Sequence, residues 1–449
     1  MGALKPSTKQ ESHLFDVAGG ATTFANGPEA AHRNTYVASE VAPEQWEQLL
    51  AMFPGHSVFH TLPWLETIET VHGAKARLLR VDASAMARDG EDASCVAIWP
   101  VFTTRKGPLR ILGSPVPGWC TAYMGPLFRR GCCEQEALEA FLGHPILRGG
   151  SYFSCKVLVD RTPVNLSRFG FVEVERLDTY CLDLTQPLEA LWDNLKSECR
   201  TQIRKAWKMN VQVQHERDDS FIDEYWAMAL ETFGNCNIKP LFPRQFLEEL
   251  WRRLHPGGRV HVLSAIHEGR RIGALVLPLD DETMYYWSGA SYLRCRGIPA
   301  HNLLHWEAIR LGHRLGLRRY DFVSTLGGGG RFKKTFGPRA IHMATHWERT
   351  SSGIVRMLRH GYERYISHRQ RRSGGSTRWA GRSRVCLRWA CCSRPSACES
   401  AASVSAPAGV AMARRRIRRD AISAIGHRAA FMAVVIVPSV VCRDAHLIR

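Results

Sequence analysis

The order of apolar runs and amphipathic segments between residues 179 and 350 constrains this fold more than any other sequence feature. TYCLDL, VQVQH and RRYDFV are short apolar or alternating runs typical of strands, whereas AHNLLHWEAIRLGHRLGL repeats apolar residues at helical spacing. The full predicted order is β-α-β-α-α-β-β-β-α-β-β. Strands interleaved with helices in this way predict an α/β domain built around a mixed sheet, with tight turns at Glu268-Gly269 and Asp280-Asp281.

Residues 35–178 show a second mixed pattern. APEQWEQLLAMFPG has helical spacing that ends at Pro-Gly, ARLLRV and ASCVAIWPVFTTR are typical of strands, and EQEALEAFLGHPIL is typical of a helix. A chain of 449 residues with 45% hydrophobic content is long enough to form two domains. We therefore predict α/β domains at 35–178 and 179–350, followed by a terminal helix or linker at 351–369.

The two ends of the chain differ in composition from the rest. Residues 1–34 are polar and rich in Gly, Ala, Ser and Thr, which predicts a disordered leader. Residues 370–449 hold fifteen Arg, no Lys and three acidic residues, about two-thirds of the formal net charge of +18. This tail is interpreted as a disordered basic arm or as the product of a shifted reading frame. Because the excess charge is concentrated there, specific DNA binding is not expected.

Several classes of protein are excluded by what the sequence lacks. Five of the fourteen cysteines lie in the tail. The other nine are scattered without the paired spacing of a zinc site, and no signal peptide accompanies them, which predicts reduced thiols in a cytoplasmic protein without a metal. No Ser/His/Asp set or P-loop is present. The late apolar run FMAVVIVPSVV is shorter than the roughly 20 residues that span a bilayer. Hydrolases, nucleotide-hydrolysing enzymes and zinc enzymes are therefore not expected.

Two segments concentrate basic residues. PLEALWDNLKSECRTQIRKAWKMN is predicted as one long helix, with basic residues every four positions beside an apolar face: Lys196, Arg200, Arg204 and Lys208. A solvated face is the default interpretation of such a stripe. GGGGRFKKTFG, residues 327–337, suggests a phosphate-binding nest, because successive backbone N–H groups of a glycine-rich turn can bind an anion. It is not expected to lead into a helix as a P-loop does, so the glycines are interpreted as a mobile or sharply turning approach.

Four segments together resemble one family. LWDNLKSECRTQIRKAWKMNVQV, GALVLPLDDETMYYWSGAS, LLHWEAIRLGHRLGLRRYDF and RFKKTFG are similar in order and spacing to the Fem-type branch of the GNAT acyltransferases. That branch includes acetyltransferase-like proteins associated with cellulose and other exopolysaccharide production. The resemblance is strong over residues 179–350 and weak over 35–178. It implies tandem GNAT-like folds with a substrate groove between or beside them.

The resemblance also implies an activity. Fem-type members transfer an amino acid from aminoacyl-tRNA to an amine of a peptidoglycan precursor, whereas the acetyltransferase-like members transfer an acyl group from coenzyme A. We therefore expect an acyltransferase without a bound cofactor, which uses acyl-CoA or aminoacyl-tRNA as donor. The expected acceptor is an envelope or polysaccharide precursor, and the expectation includes peripheral contact with the inner membrane.

The catalytic candidates follow from the chemistry of acyl transfer. An amine that attacks an ester or thioester forms a tetrahedral oxyanion, which a fixed positive charge or N–H donors stabilise. Lys333 aligns with the lysine of the family's F-K-x-x-F-G signature and is the candidate for this role, with Lys334 beside it. From the residues alone, a turn that merely carries these lysines is an equal alternative. Asp321 matches a position of the family and is expected to orient a loop or accept a proton, with a turn or capping role as the alternative. Phe332 is expected to hold the loop down and exclude water, and Tyr286 to lie in the core or line the groove; both are substrate-binding candidates.

The donor phosphates are expected at RCRGIPAHNLL, where GNAT enzymes carry a Q/R-x-x-G-x-G/A loop at a helix N-terminus. Pro299 stands where Gly or Ala is expected and lacks an N–H donor, so a non-catalytic GNAT fold that binds RNA or anionic polysaccharide remains a second hypothesis. An anionic substrate or donor is expected to bind Arg200 and Arg204. The cofactor-binding candidates are Arg294, Gly297 and His301.

Overall fold

The computed structural model describes residues 35–84, 94–159, 164–235, 240–325 and 329–372. The predicted leader at 1–34 and residues 373–449 of the predicted tail lie outside the described residues. The first half of the chain contains β1 (Tyr36–Glu40), α1 (Pro43–Ala51), α2 (Leu62–His72), β2 (Lys75–Ala83), β3 (Cys95–Lys106), β4 (Leu109–Ser114), β5 (Leu127–Phe128), α3 (Glu134–Gly143) and β6 (Tyr152–Leu158).

The second half contains the elements that carry the resemblance. They are β7 (Val172–Asp183), α4 (Leu188–Asp193), α5 (Ser197–Lys208), β8 (Gln212–His215), α6 (Ile222–Asn235), α7 (Arg244–Leu254), β9 (Val260–His267), β10 (Arg270–Pro278), β11 (Thr283–Tyr285), β12 (Ser288–Ser291), α8 (Ala300–Arg314), β13 (Arg319–Asp321), α9 (Gly329–Lys333), β14 (Arg339–Thr350) and α10 (Gly353–Arg372). The last helix extends three residues beyond the predicted limit at 369.

The described strands form two sheets. A ten-stranded sheet has the order β1-β2-β3-β4-β6-β14-β7-β13-β11, with β5 beside β3, and a four-stranded sheet has the order β12-β10-β9-β8. β4 pairs in parallel with β6, and β11 pairs in parallel with β13, whereas the other pairs are antiparallel. The predicted α/β class with a mixed sheet is therefore confirmed.

The large sheet is continuous across the predicted domain boundary. That boundary, between residues 178 and 179, lies inside β7. β14, the last strand of the described residues, pairs with β6 on one side and with β7 on the other. We therefore propose two GNAT-like halves that share a central strand pair, because a cut at 178/179 would divide one strand.

The hydrophobic core also joins the halves. One cluster of fully buried side chains contains Trp64 and Phe59 from the first half with Phe246 and Tyr285 from the second. The rings of Trp64 and Phe246 lie 5.8 Å apart, and those of Phe59 and Tyr285 lie 5.2 Å apart. Because each fully buried large apolar side chain contributes roughly 1.5–3 kcal/mol, this contact fixes how the two halves sit against each other.

The segment predicted as one long helix is two helices, so that prediction was wrong. α4 ends at Asp193 and α5 begins at Ser197, and between them the backbone N–H of Lys196 donates to the Thr335 carbonyl at 2.8 Å. The Arg200 guanidinium donates to the carbonyls of Asp193 at 2.8 Å and Leu195 at 2.6 Å. The break therefore persists because a distant segment and an arginine satisfy backbone groups that a continuous helix would pair internally.

The predicted turns in the strand-rich segment are confirmed. Glu268 and Gly269 have φ of 49° and 69°, the geometry of a two-residue hairpin turn between β9 and β10. The Asp280 carboxylate accepts from the backbone N–H groups of Glu282 and Thr283 at 2.9 and 2.8 Å. The third predicted strand, however, is divided into β11 and β12, which belong to different sheets.

Candidate functional site

Two neighbouring strands part at the centre of the second half. β11 pairs in parallel with β13, and the last bond between them runs from Tyr286 N–H to the Asp321 carbonyl at 2.8 Å. From Ser288 onward the same chain is β12, which pairs with β10 in the other sheet. We call this place the strand divergence: it is bounded by residues 286–289 on one side and 322–324 on the other. β12 is an edge strand of the four-stranded sheet, so the backbone groups on its side away from β10 have no strand partner among the described residues and are available to a ligand.

Gly289 presents its backbone toward the divergence. Tyr292 N–H donates to the Ile272 carbonyl of β10, and in an antiparallel pair alternate residues point the other way, so Gly289 N–H points away from β10. A Cβ built on Gly289 would lie 2.7 Å from the Tyr286 hydroxyl oxygen, so a side chain does not fit. A backbone N–H held in this position is a donor suited to an oxyanion. Sequence reasoning missed Gly289 because only the observed register shows where its N–H points.

Lys333 reaches the divergence from the opposite side. Its Nζ donates to the carbonyls of Phe322 at 2.9 Å and Ser324 at 3.0 Å, and lies 5.6 Å from the centroid of the Tyr286 ring. An ammonium has three N–H donors, so one remains for a further acceptor. Burial lowers the pKa of Lys333 from 10.5 to about 8, while the nearby Asp321 carboxylate opposes that shift. The side chain is 9% exposed and carries its charge at neutral pH.

The two adjacent lysines lie in different surroundings. Lys334 is exposed, and its Nζ lies 5.9 Å from the ring of Tyr180 on β7. Phe332 packs against Phe336 at 5.3 Å between ring centroids. Of the two lysines, Lys333 is therefore the one that donates to the backbone at the divergence.

The glycine-rich stretch does lead into a helix, contrary to prediction. α9 begins at Gly329 and is five residues long, while Gly327 and Gly328 lie outside the described residues. A Cβ on Gly330 would lie 2.5 Å from the Thr325 carbonyl oxygen, so glycine allows the turn to pack closely against the chain that follows β13. In the described part of the stretch, Gly330 therefore allows close packing of the short helix that carries Lys333.

Asp321, at the end of β13, is fully buried. Its carboxylate accepts from the hydroxyls of Thr179 and Tyr123 and from the backbone N–H of Val323 at 2.6 Å. Burial raises the pKa of Asp321, and the three donors and the Lys333 ammonium oppose that rise. The Asp321 carboxylate thus holds the Val323 backbone and the hydroxyls of Thr179 and Tyr123 in place.

His305 on α8 is a residue at the site that sequence reasoning did not select. Its Nδ1 lies 2.8 Å from the Tyr320 hydroxyl, its ring lies 4.5 Å from that of Tyr286, and its Nε2 is buried without a hydrogen-bond partner among the described residues. Burial, His301 and the Lys333 charge hold its pKa well below the usual value, so the imidazole is neutral. In the sequence, the position of His305 on the apolar face of a predicted helix could have identified it as a buried residue.

The expected donor loop forms the turn before α8. Arg294 stacks on the Tyr292 ring at 4.0 Å, and the Gly297 carbonyl accepts from Lys205 Nζ at 3.2 Å. Pro299 is the residue before the first helical position, so the first-turn N–H groups of His301 and Asn302 have no partner within the helix. The three cofactor-binding candidates thus lie in the turn before α8 and at the start of that helix. Burial lowers the pKa of His301 to about 4, so its side chain adds no positive charge at neutral pH.

The basic residues of α5 have separate positions. The Arg200 guanidinium is occupied by backbone carbonyls at the α4–α5 break. Arg204 is exposed and lies 5.6 Å from the Trp192 ring. Lys205, which sequence reasoning did not single out, is the α5 side chain that contacts the donor loop. Of the predicted basic stripe, Arg200 therefore stabilises the backbone at the α4–α5 break, whereas Arg204 is exposed.

Two further findings concern the described residues. No group of three or more His, Cys, Asp or Glu side chains within them is placed to hold a metal ion. None of their helices combines the length and apolar content required to cross a membrane.

Comparisons with known proteins give a matching family domain and similar folds. Residues 194–334, from the α4–α5 break to Lys334, match the family described as Acetyltransferase (GNAT) domain. FemX has a similar structure, with 15% identity, a TM-score of 0.57, and coverage of 72% of this chain and 99% of that one.

Two further solved structures are similar at lower scores. L-PGS from Bacillus licheniformis has 14% identity, a TM-score of 0.45, and coverage of 71% of this chain and 96% of the other. A tandem GNAT protein from the clavulanic acid biosynthesis pathway has 10% identity, a TM-score of 0.45, and coverage of 71% and 99%. No curated protein matches the sequence. Residues 194–334 thus match a GNAT acetyltransferase domain, and the chain has a fold similar to that of FemX.

Proposed function

We propose that the chain is an N-acyltransferase whose acyl donor binds from the loop before α8 to the strand divergence, where an amine accepts the acyl group. The observation that carries this proposal is that Lys333 and Gly289 both lie beside Tyr286 at the strand divergence: Lys333 Nζ lies 5.6 Å from the centroid of the Tyr286 ring, and a Cβ on Gly289 would lie 2.7 Å from its hydroxyl oxygen. β12 leads directly from the strand divergence to the donor loop, so one continuous segment serves both ends of a long donor.

The geometry supports the following reaction. The acceptor nitrogen attacks the donor carbonyl carbon, a C–N bond forms, and the carbonyl oxygen becomes an oxyanion that Lys333 and Gly289 N–H stabilise. Collapse of this intermediate breaks the bond to the leaving group, a thiolate from acyl-CoA or a ribose hydroxyl from aminoacyl-tRNA. The attacking nitrogen loses one proton to solvent or to the leaving group, so charge balances.

Acyl-CoA and aminoacyl-tRNA share one chemistry: each carries an activated acyl thioester or ester on a molecule that contains phosphate groups. The free first-turn N–H groups of α8 and the nearby Lys205 supply the anion-binding features that such phosphates require. Lys208 is exposed further along α5. We propose that a nucleic-acid donor would reach it and that coenzyme A would not. Both donors occur in the cytoplasm, which is where we propose that the reaction takes place.

The donor is tested by transfer assays with labelled acetyl-CoA and labelled aminoacyl-tRNA, using Lys205→Met, Lys208→Met and, as a distant control on β2, Lys75→Met. We expect Lys205→Met to raise the donor KM in either case. With tRNA, Lys208→Met also raises KM and the KM rises steeply with salt; with coenzyme A, it does not. Salt-sensitive binding of RNA or polysaccharide with no transfer from either donor would refute the enzyme and favour the non-catalytic alternative that Pro299 suggested.

The acceptor is proposed to be an amine of a cell-envelope precursor. The sequence resemblance to Fem-type members supports a peptidoglycan precursor, and the sequence resemblance to exopolysaccharide-associated members supports an amino sugar as the alternative. Parallel assays with a peptidoglycan precursor peptide, an amino sugar and a zwitterionic amine lipid separate these classes. Comparable slow acylation of all three would contradict a dedicated acceptor.

We also propose that α10 touches an anionic membrane surface. Ile354 and Met357 are 68% and 65% exposed, although Val355 between them is buried against the protein. The helix sequence contains six Arg and one Glu, which complements anionic lipid, and an apolar and basic helix of this kind is suited to the interface.

Hydrogen exchange of residues 353–364 with phosphatidylglycerol vesicles tests this contact. We expect protection that phosphatidylcholine vesicles do not give and that Met357→Glu abolishes. Leu230→Glu, at a 48% exposed site on α6, is the matched control. Protection by both lipids, or none, would contradict the proposal.

A further inference from the structure

Val323 has an unusual backbone conformation. Its φ is +63°, in the left-handed region that β-branched residues avoid. It lies between Phe322 and Ser324, and the carbonyls of those two residues both accept from Lys333 Nζ. A conformation of this kind persists only where the surroundings hold it in place. The turn at Val323 is therefore what brings two carbonyls onto one ammonium.

The Asp321 carboxylate holds this turn. Its Oδ1 accepts from Val323 N–H at 2.6 Å and from the Thr179 hydroxyl, and its Oδ2 accepts from the Tyr123 hydroxyl at 3.1 Å. All of this is buried: Asp321 and Thr179 are 0% exposed and Tyr123 is 2% exposed. Bonds to a charged, buried acceptor are worth more than ordinary ones, so the turn is fixed from three directions.

The donors come from different parts of the chain. Thr179 lies on β7 and Val323 follows β13, whereas Tyr123 lies in the first half, 198 residues away from Asp321. The first half therefore contributes a side chain to the support of Lys333, although it contributes none of the carbonyls that bind the ammonium.

We infer that Asp321 and Tyr123 are positioning residues that fix the turn at Val323 and thereby hold the Lys333 ammonium in place at the strand divergence. The inference rests on the proposed role of Lys333 in acyl transfer. The groups that face Lys333 are Asp321 from β13, the neutral His305 from α8 and the Tyr286 ring from the segment between β11 and β12. Asp321 is the one anion among these three.

The first test measures the protonation of Lys333 and does not require acyltransferase activity. The sequence contains eleven lysines, few enough for an NMR titration of side-chain [ε-¹³C]lysine, in which Lys333→Arg identifies the signal of interest. Asp321→Asn keeps the shape but removes the anion that raises the pKa of Lys333, so we expect the Lys333 signal to titrate at lower pH than in the wild type.

Asp280→Asn is the matched control. Asp280 is also a buried carboxylate that accepts from two backbone N–H groups and a tyrosine, and it stands in a different turn. We expect the Lys333 titration to be unchanged in this variant. An unchanged titration in Asp321→Asn, or an equal change in Asp280→Asn, would overturn the inference.

The second test measures how the backbone turn at Val323 affects turnover. Asp321→Ala removes the acceptor that holds the turn, and we expect turnover to fall by ~10²-fold with little change in donor KM, because small misplacements of a reacting group are costly. Adding Val323→Gly, which adopts positive φ without penalty, is expected to restore part of that turnover. Tyr123→Phe should give a smaller loss of the same kind. No loss in Asp321→Ala, or no rescue by glycine, would contradict the positioning role.

The two proposals fail separately. If Lys333→Met retains full turnover, the proposed function of Lys333 is wrong, whereas the ¹³C titration still decides whether Asp321 controls its charge.

Discussion

Gly337 follows the segment that carries Lys333 and packs closely against Asn194 at the α4–α5 break. The loss of folding stability on its replacement by alanine can therefore be predicted. Gly337 has φ of +75°, and a Cβ built there would lie 2.4 Å from the Asn194 carbonyl oxygen and 3.1 Å from its carbon. The left-handed conformation alone costs a non-glycine residue ~1–2 kcal/mol. The clash is with backbone, which must move, and overpacking of this kind adds about 1–3 kcal/mol. We therefore expect Gly337→Ala to destabilise the fold by about 2–5 kcal/mol.

Gly316 isolates the steric part of this effect. It has φ of +72°, but a Cβ there would meet no atom within 4 Å, so Gly316→Ala should cost only the ~1–2 kcal/mol of the backbone term. Urea unfolding followed by tryptophan fluorescence measures both variants. Turnover should fall in Gly337→Ala alone, since Thr335, two residues earlier, bonds to Lys196 and the segment carries Lys333. Equal destabilisation by the two substitutions would refute the predicted close contact.

Three further predictions concern single residues. Arg200→Ala should reduce the free energy of unfolding by about 1–3 kcal/mol, because it leaves carbonyls at the α4–α5 break without a partner, whereas Arg204→Ala should change it little; urea titrations compare them. Lys333 has a folded pKa of about 8 against 10.5, so the unfolded state binds more protons between those values and stability rises with pH there. Unfolding at pH 8 and 10.5 should show a smaller rise in Lys333→Met. Gly289→Ala should lower turnover by displacing the Tyr286 ring, with the donor KM measured alongside.

Sequence periodicity predicted the elements whose stability is local. The hairpin of β9 and β10 follows from a Glu-Gly turn between apolar runs, and α8 follows from its amphipathic spacing. The F-K-x-x-F-G resemblance also selected Lys333, which the structure places at the strand divergence.

Features set by distant contacts were not predictable in the same way. Helical spacing runs through Asn194–Lys196, but Lys196 N–H bonds to Thr335, 139 residues later, and this ends the helix. The role of Gly289 depends on strand register, and the support of Lys333 depends on Tyr123, which no local pattern connects to Asp321. Such residues become visible only when the strands and the two halves are in place.

The central claim is that Lys333 stabilises the oxyanion of an acyl transfer. The most direct measurement is the single-turnover rate with saturating labelled donor and amine, compared among the wild type, Lys333→Met and Lys334→Met. We expect a loss of ~10²–10³-fold in Lys333→Met with donor binding retained, and a rate near wild type in Lys334→Met, since Lys334 lies against Tyr180. An unchanged rate in Lys333→Met, or equal losses in the two variants, would contradict the claim.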